Sequence, residues 1–199
     1  MNPEYNFKQA PKNTPPEPYP KKRDLLLAQQ HTYLRSRNLD PSVARFNQWY
    51  PTELLGPRIV IPCTEGFWQA RTMCDHPMRY RSAGGSRNKA FCIVWPIHPQ
   101  PTLTVIVEGP MDALAAAGEG AVGIASLGAG FGDYVIDWVF KNREASNIII
   151  IPDLDNSEFG YDVVCGLTNL GRKVTLKHPQ KKDLAGMTVK QRRVLLGLN

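Results

Sequence analysis

The sequence predicts an α/β protein built on an open parallel sheet with helices on both faces, preceded by a smaller, basic subdomain of mixed α and β structure. Three observations carry this. From residue 103 to residue 176, short apolar runs rich in Val and Ile alternate with helix-period segments, the pattern of strand–helix–strand units around a parallel sheet. From residue 57 to about residue 95, apolar runs are separated by turn signals, as in hairpins. Charge divides along the same line: residues 1–101 hold 14 Lys and Arg against 7 Asp and Glu, and residues 102–199 hold 10 against 11. A basic half beside a slightly acidic one suits a polyanion held by one part and processed by the other.

The elements follow in order. Residues 1–23 contain Pro11, Pro15, Pro16, Pro18 and Pro20 and end in Lys21-Lys22-Arg23, which predicts a flexible, polyproline-like basic arm. Asp24 is a candidate cap for a helix whose apolar spacing runs to Tyr33 and Leu34. Asp40-Pro41-Ser42 starts a second, short helix with Val43, Phe46 and Trp49 on one face and Pro51 as its stop. Residues 58–62 read as a strand, Glu65-Gly66 as a turn and 67–71 as the hairpin partner. Arg79-Tyr80-Arg81, a glycine-rich loop and Lys89 then lead to a strand at 91–94. Residues 24–101 thus form one unit, with proline-rich 97–102 as hinge, and 102–199 form the second. There, strands at 103–107, 121–126, 147–152 and 172–176 alternate with helices at 111–118, 131–142 and 159–170, before a terminal helix at 188–197.

A chain of 199 residues can bury a real core, and 42% hydrophobic with 21% charged residues reads as soluble and globular. No apolar run approaches the roughly twenty residues of a membrane span, and the N-terminus has no apolar secretory segment, so the expected location is a cytoplasm with no membrane partner. Cys63, Cys74, Cys92 and Cys165 are scattered and form no C-x-x-C pair, which argues against a zinc ribbon and a disulfide framework. No zinc is expected, and Cys74-Asp75-His76 reads as incidental.

The chemistry concentrates at two strand ends. The run 103–107 stops at Glu108-Gly109 and passes into a helix with Asp112 in its first turn; the run 147–152 ends in Asp153-Leu154-Asp155, both aspartates on one side by strand periodicity. In an open parallel sheet, ligands bind outside the carboxyl ends of the strands, so Glu108, Asp153 and Asp155 converge if these strands are neighbours. Three converging carboxylates call for a cation, and Mg²⁺, which favours oxygen ligands, suits them.

Glu108-Gly109-x-x-Asp112 after one strand and Asp153-x-Asp155 after another resemble the TOPRIM domain of DnaG-type primases, topoisomerases and some nucleases. Further segments are similar to the primase catalytic core in particular: Tyr33-Leu34-x-x-Arg37-x-Leu39 followed by Arg45-Phe46, the basic β-region, Ser126-Leu127-Gly128, and Lys177-His178-Pro179 leading to Lys182-Asp183-Leu184. The likeness spans roughly residues 25–187. Ala185-Gly186 stand where that family often has further acids, and Asn156-Ser157-Glu158 make a longer turn than usual.

The resemblance implies phosphoryl transfer assisted by Mg²⁺ or Mn²⁺, as two ions, held by Glu108, Asp153 and Asp155 with Asp112 supporting Glu108 and Asp183 as a further oxygen. It implies that Arg71 and Lys89, then Arg79, Arg81 and Arg58, hold nucleotide and template phosphates, with Lys182 on a phosphate as well. The expected reaction is synthesis of short RNA primers on single-stranded DNA from ribonucleoside triphosphates. A separate zinc-binding template reader and a replicative helicase are the expected partners. A small metal-dependent TOPRIM nuclease stays open because the acids alone do not distinguish it from a polymerase; a non-catalytic nucleic-acid-binding accessory protein is a further alternative, against which the complete acids speak.

Overall fold

The computed structural model describes residues 14–18, 20–84, 90–99, 103–128, 132–142 and 147–198. Residues 1–13 of the arm expected at 1–23, and Lys89, lie outside these residues. Two sheets make the frame: four antiparallel strands in the order β1-β2-β3-β4, and five strands in the order β5-β7-β6-β8-β9.

The first sheet is β1 (Tyr50–Glu53), β2 (Pro57–Pro62), β3 (Trp68–Thr72) and β4 (Tyr80–Ser82). Helix α1 (Arg23–Ser36) buries Leu26, Gln30 and Leu34 at helical spacing. Asp24 lies in its first turn, where a carboxylate opposes the positive helix end, but Lys22 holds the cap position and makes no side-chain capping bond. Asp40 does cap α2 (Pro41–Phe46), its Oδ1 accepting from Ser42 N at 2.8 Å. This helix is shorter than expected. Gln48, in the turn before β1, has a positive φ of 61° that redirects the chain, so Phe46 is left exposed while Trp49 turns into the core. Residues 14–18 do not form a free arm: the Tyr50 hydroxyl donates to Pro16 O at 2.7 Å and Thr52 Oγ1 to Glu17 O at 2.8 Å, docking them on β1. Strand β1 escapes the sequence pattern because Pro51 and the charged Glu53 belong to an edge, where a missing N–H is tolerated.

The second sheet holds β6 (Leu103–Val107), β7 (Val122–Ala125), β8 (Asn147–Ile150) and β9 (Val174–Leu176), all parallel, with β5 (Cys92–Val94) antiparallel to β7 at one edge. Strand β5 therefore belongs to this sheet, and the sheet boundary precedes residue 92 rather than lying at the proline-rich 97–102.

Period-two alternation separates the faces. Val105, Val107, Ile149 and Ile151 join α3 (Pro110–Gly118) in one core; Ile106, Ile124, Ile148 and Ile150 join α4 (Gly132–Lys141) and α5 (Ser157–Asn169) in the other. From central β6 the chain moves one way to β7 and then returns past β6 to β8. Right-handed crossovers in opposite directions must place α3 and α4 on opposite faces. Helix α3 comes close because a Cβ on Gly123 would collide with the Ala113 backbone.

Helix α6 (Val189–Leu196), with its Thr188–Gln191 capping box, closes the fold. Its Arg192, 2% exposed, donates Nε to Glu119 Oε1 at 3.0 Å, Nη1 to Met187 O at 3.1 Å and Nη2 to Asn38 O, tying α6 to α3 and to the α1–α2 turn. A buried charge without its partner is costly. Arg192→Ala should lower the unfolding free energy in urea by about 3–5 kcal/mol, whereas Arg192→Met with Glu119→Leu should recover most of that loss.

Candidate active site

Strands β6 and β8 are neighbours at the topological switch point of the sheet, where β7 leaves to one side and β8 to the other. Connections diverge there and leave a crevice beyond the strand ends. Glu108 stands at its base. Its Oε1 accepts from Asp153 N at 3.0 Å and its Oε2 from Asn156 Nδ2 at 2.8 Å, so the carboxylate on one strand end grips the loop following the other. Asn156 is the N-cap residue of α5 yet makes no capping bond, because its amide faces Glu108. On the third side, Leu127 N donates to Glu108 O at 3.0 Å, with Leu127 at φ 65°, a left-handed conformation uncommon for leucine.

The remaining acids line the same crevice. Asp153 is pushed up to about 6, by burial and then by the negative charges of Glu108, Asp183 and Asp155. Asp112, 6% exposed, is pushed up to about 7 by burial and then by Asp183, despite accepting a hydrogen bond from Ala185 N at 2.8 Å. Asp112 therefore differs from expectation. It does not bond Glu108 but anchors the 183–186 loop, and Gly109 makes room for it, since a Cβ there would lie 2.8 Å from Asp112 Oδ2. Asp183 Oδ1 accepts from Gly186 N at 2.6 Å within the same turn. Asp155 is exposed and paired with Lys182 Nζ at 3.1 Å, which holds its carboxyl below the usual range.

Helix α1 and the first sheet supply the positive side. The Tyr33 hydroxyl accepts from Arg71 Nε at 2.9 Å and from Arg37 Nη1 at 3.4 Å, drawing two guanidiniums onto one oxygen. The Arg71 guanidinium also lies over the Tyr80 ring, 4.9 Å from its centroid. Burial alone would lower Arg37, but Tyr33 and then Asp183 outweigh it and hold it above its ordinary value, so this cluster feels the acid loop. Arg79 is near enough to Lys182 to oppose its charge.

Not every basic candidate reaches this wall. Pairing of Ala70 with Arg81 and of Arg71 with Tyr80 puts Arg81 on the opposite face from Arg71. Arg58 is fully buried and donates to the carbonyls of Leu54, Ala70, Met78 and Arg79, four of its five N–H groups; it braces the first sheet and is out of reach of a phosphate in solvent. Sequence reasoning left Arg37 and Asn156 without roles. The four-residue spacing of Tyr33 and Arg37, the C-cap residue of α1, was the available signal for the first; Asn156 offered none in the sequence.

The donor set fits a hard divalent cation by chemistry: all oxygen, with Asp153 and Asp112 raised first by burial and then by neighbouring carboxylates. It is not preassembled. Among the described residues, no three Asp, Glu, His or Cys side chains stand close enough to share one ion, because both Glu108 oxygens face N–H donors and Asp155 faces Lys182.

Solved structures share this architecture. The chain superposes on the Aquifex aeolicus primase (zinc-binding and RNA polymerase domains) with a TM-score of 0.63 at 14% identity, over 87% of this chain and 59% of that one. It superposes on the primase fragment of the bacteriophage T7 primase-helicase protein with a TM-score of 0.59 at 15% identity, over 82% of this chain and 72% of that one. For a DnaG primase catalytic domain bound to single-stranded DNA the values are 0.56 and 17%, over 80% and 69%. The chain thus spans about three fifths of the Aquifex aeolicus primase chain. No protein-family model matches the sequence, and no curated protein matches it by sequence. The fold is that of a primase-type TOPRIM sheet preceded by an antiparallel-sheet subdomain.

The Asp112 shift has a sign that can be checked. With a folded-state value of about 7 against an ordinary value near 4, the folded protein holds a proton that the unfolded chain has released between those pH values. Stability without divalent cations should therefore fall as pH rises from about 4 to about 7, with a limiting slope of about 1.4 kcal/mol per pH unit from this group. Asp112→Asn, which retains an acceptor for Ala185 N, should flatten that slope in urea unfolding measured across the window.

Proposed function

We propose that the chain is the catalytic core of a primase-type nucleotidyltransferase that makes short RNA on single-stranded DNA. The observation that carries this is the pairing, within a primase-type fold, of an acid crevice at the β6 and β8 ends with two guanidiniums gathered on the Tyr33 hydroxyl across from it. A water-activated nuclease has no need for this second feature; a triphosphate does, because its charge must be held while one bond is exchanged.

In this reading the 3′-hydroxyl of the growing RNA forms a bond to the α-phosphorus of the incoming ribonucleotide, the bond to the β-phosphate oxygen breaks, and pyrophosphate leaves with its negative charge. The hydroxyl proton passes to solvent. Mg²⁺ or Mn²⁺, held by Glu108, Asp153 and Asp155 with Asp183 nearby, would supply charge neutralisation to the attacking hydroxyl and the departing phosphate. Glu108 fixes the spacing of the two strand-end loops through Asp153 N and Asn156. Asp112 fixes the 183–186 loop. Arg71 and Arg37 hold phosphate oxygens by planar, directional donors, with Arg79 and Lys182 adding charge at the rim and Lys89, between β4 and β5, completing the set from sequence alone.

Primase structures of this fold include one bound to single-stranded DNA, one carrying a zinc-binding domain and one from a primase-helicase protein. Their association supports a single-stranded DNA template here, read by a separate zinc-binding module and delivered by a helicase.

Incubation with single-stranded DNA, Mn²⁺ and labelled ribonucleotides should yield new short RNA, resolved on one gel beside the template. Glu108→Gln should reduce that RNA by at least about a hundredfold, the loss typical of a removed charge-stabilising group. Cut template without RNA would establish the nuclease instead. Arg71→Ala should weaken binding of a fluorescent ATP analogue about tenfold while leaving Mn²⁺ binding intact, as expected for one charge-assisted phosphate contact.

A further inference from the structure

Lys182 is the one exposed cation among the described residues that an ion pair joins to a candidate metal ligand. Its Nζ lies 3.1 Å from Asp155 Oδ2, with both side chains about two thirds exposed. The pair is directed by the main chain: Leu154 N donates to Lys182 O at 2.9 Å, so the β8 loop and the 181–186 loop stay joined whatever the ammonium does. Asp155 holds the ammonium firmly protonated, with Asp153 adding to this and Arg79 opposing it. The ammonium therefore sits between the acid crevice and the positive rim, the position from which one side chain can serve either.

We propose, resting on the function argued above, that Lys182 is an exchangeable counter-ion: it neutralises Asp155 while no divalent cation is bound, is displaced by that cation, and then binds the triphosphate of the incoming nucleotide. Three features support the exchange. An exposed ion pair is weakly held, so a divalent cation displaces it at little cost. Among the described residues, Asp155 is the strand-end acid paired with an exposed lysine side chain, whereas Glu108 is held by a main-chain N–H and a cap-position amide. Finally, a flexible four-carbon stem on a main chain held by the Leu154–Lys182 backbone bond lets the released ammonium reach a phosphate next to the site without moving the loop. Binding is then ordered, cation before nucleotide, because the lysine becomes available to phosphate only once Asp155 has another partner.

The test uses the full chain and two probes, MnCl₂ alone and a fluorescent ATP analogue at saturating Mn²⁺. Free Mn²⁺ is counted by electron paramagnetic resonance. Lys182→Met keeps the apolar stem and removes the charge. It should tighten Mn²⁺ binding about two- to fivefold, the range an exposed ion pair is worth, and weaken nucleotide binding about tenfold. Opposite signs in one variant distinguish exchange from a purely structural role, which moves both the same way or neither. Lys181→Met, next to it and also exposed, should change neither, which controls for general electrostatics. Unchanged or weaker Mn²⁺ binding in Lys182→Met, or equal tightening in Lys181→Met, overturns the exchange while leaving the metal site standing. Failure of the unaltered protein to bind Mn²⁺ at all overturns the exchange together with the metal site it rests on.

Discussion

Everything near the crevice depends on one interaction: the Glu108 carboxylate at the end of β6 holding the main chain of Asp153 and the side chain of Asn156 beyond β8. Parallel strands fix the distance between their ends, but the loops that leave them are free to diverge, most of all at a switch point. Glu108 prevents that. A single carboxylate accepts from a strand-end N–H and a cap-position side chain, and in doing so brings Asp153 and Asp155 to face the 183–186 loop anchored by Asp112. Five acids, Glu108, Asp112, Asp153, Asp155 and Asp183, are gathered around these strand ends. Burial and then the neighbouring negative charges push Asp153 up to about 6 and Asp112 up to about 7, and Lys182 pairs with Asp155.

The positive wall is built differently. Arg71 points from β3 toward α1 because its pairing with Tyr80 sets the face, and Tyr33 then recruits Arg37 from the next helical turn. Like charges are brought together by a shared acceptor and an aromatic face. Arg58 shows what separates a binding group from a brace: it has the same guanidinium, only a few residues away on the neighbouring strand, yet four carbonyls surround it. Full burial among carbonyls makes Arg58 a brace, while Arg71 is only partly buried and bonds the Tyr33 hydroxyl through Nε.

The parallel sheet was legible in the sequence because Val- and Ile-rich runs of four to six residues, each followed by a helix, have one efficient packing. The strand-end acids were legible for the same reason: Glu108 and Asp153 follow the last apolar residue of their runs. What was not legible depends on partners distant in sequence. Strand β5 looks like any short apolar run, and only its pairing with β7 puts it in the second sheet. Pro-rich residues 14–18 lack apolar side chains but offer carbonyls, and Tyr50 and Thr52 are positioned to bond them. Arg58 and Arg71 are alike in the sequence, and the number of carbonyls around each is a tertiary property. Asp112 sits where a partner of Glu108 would be expected, yet a hydrogen bond across 73 residues to Ala185 decides its role.

If the crowded carboxylates are a cation site, proton and cation must compete for it. The most direct measurement is the thermal unfolding midpoint with and without Mn²⁺ at pH 8 and pH 5, for the unaltered chain and for Asp153→Asn. The account predicts clear stabilisation by Mn²⁺ at pH 8, a smaller gain at pH 5 where Asp153 and Asp112 keep their protons, and loss of most of the gain in Asp153→Asn. Equal stabilisation at both pH values, or none in either protein, would contradict it.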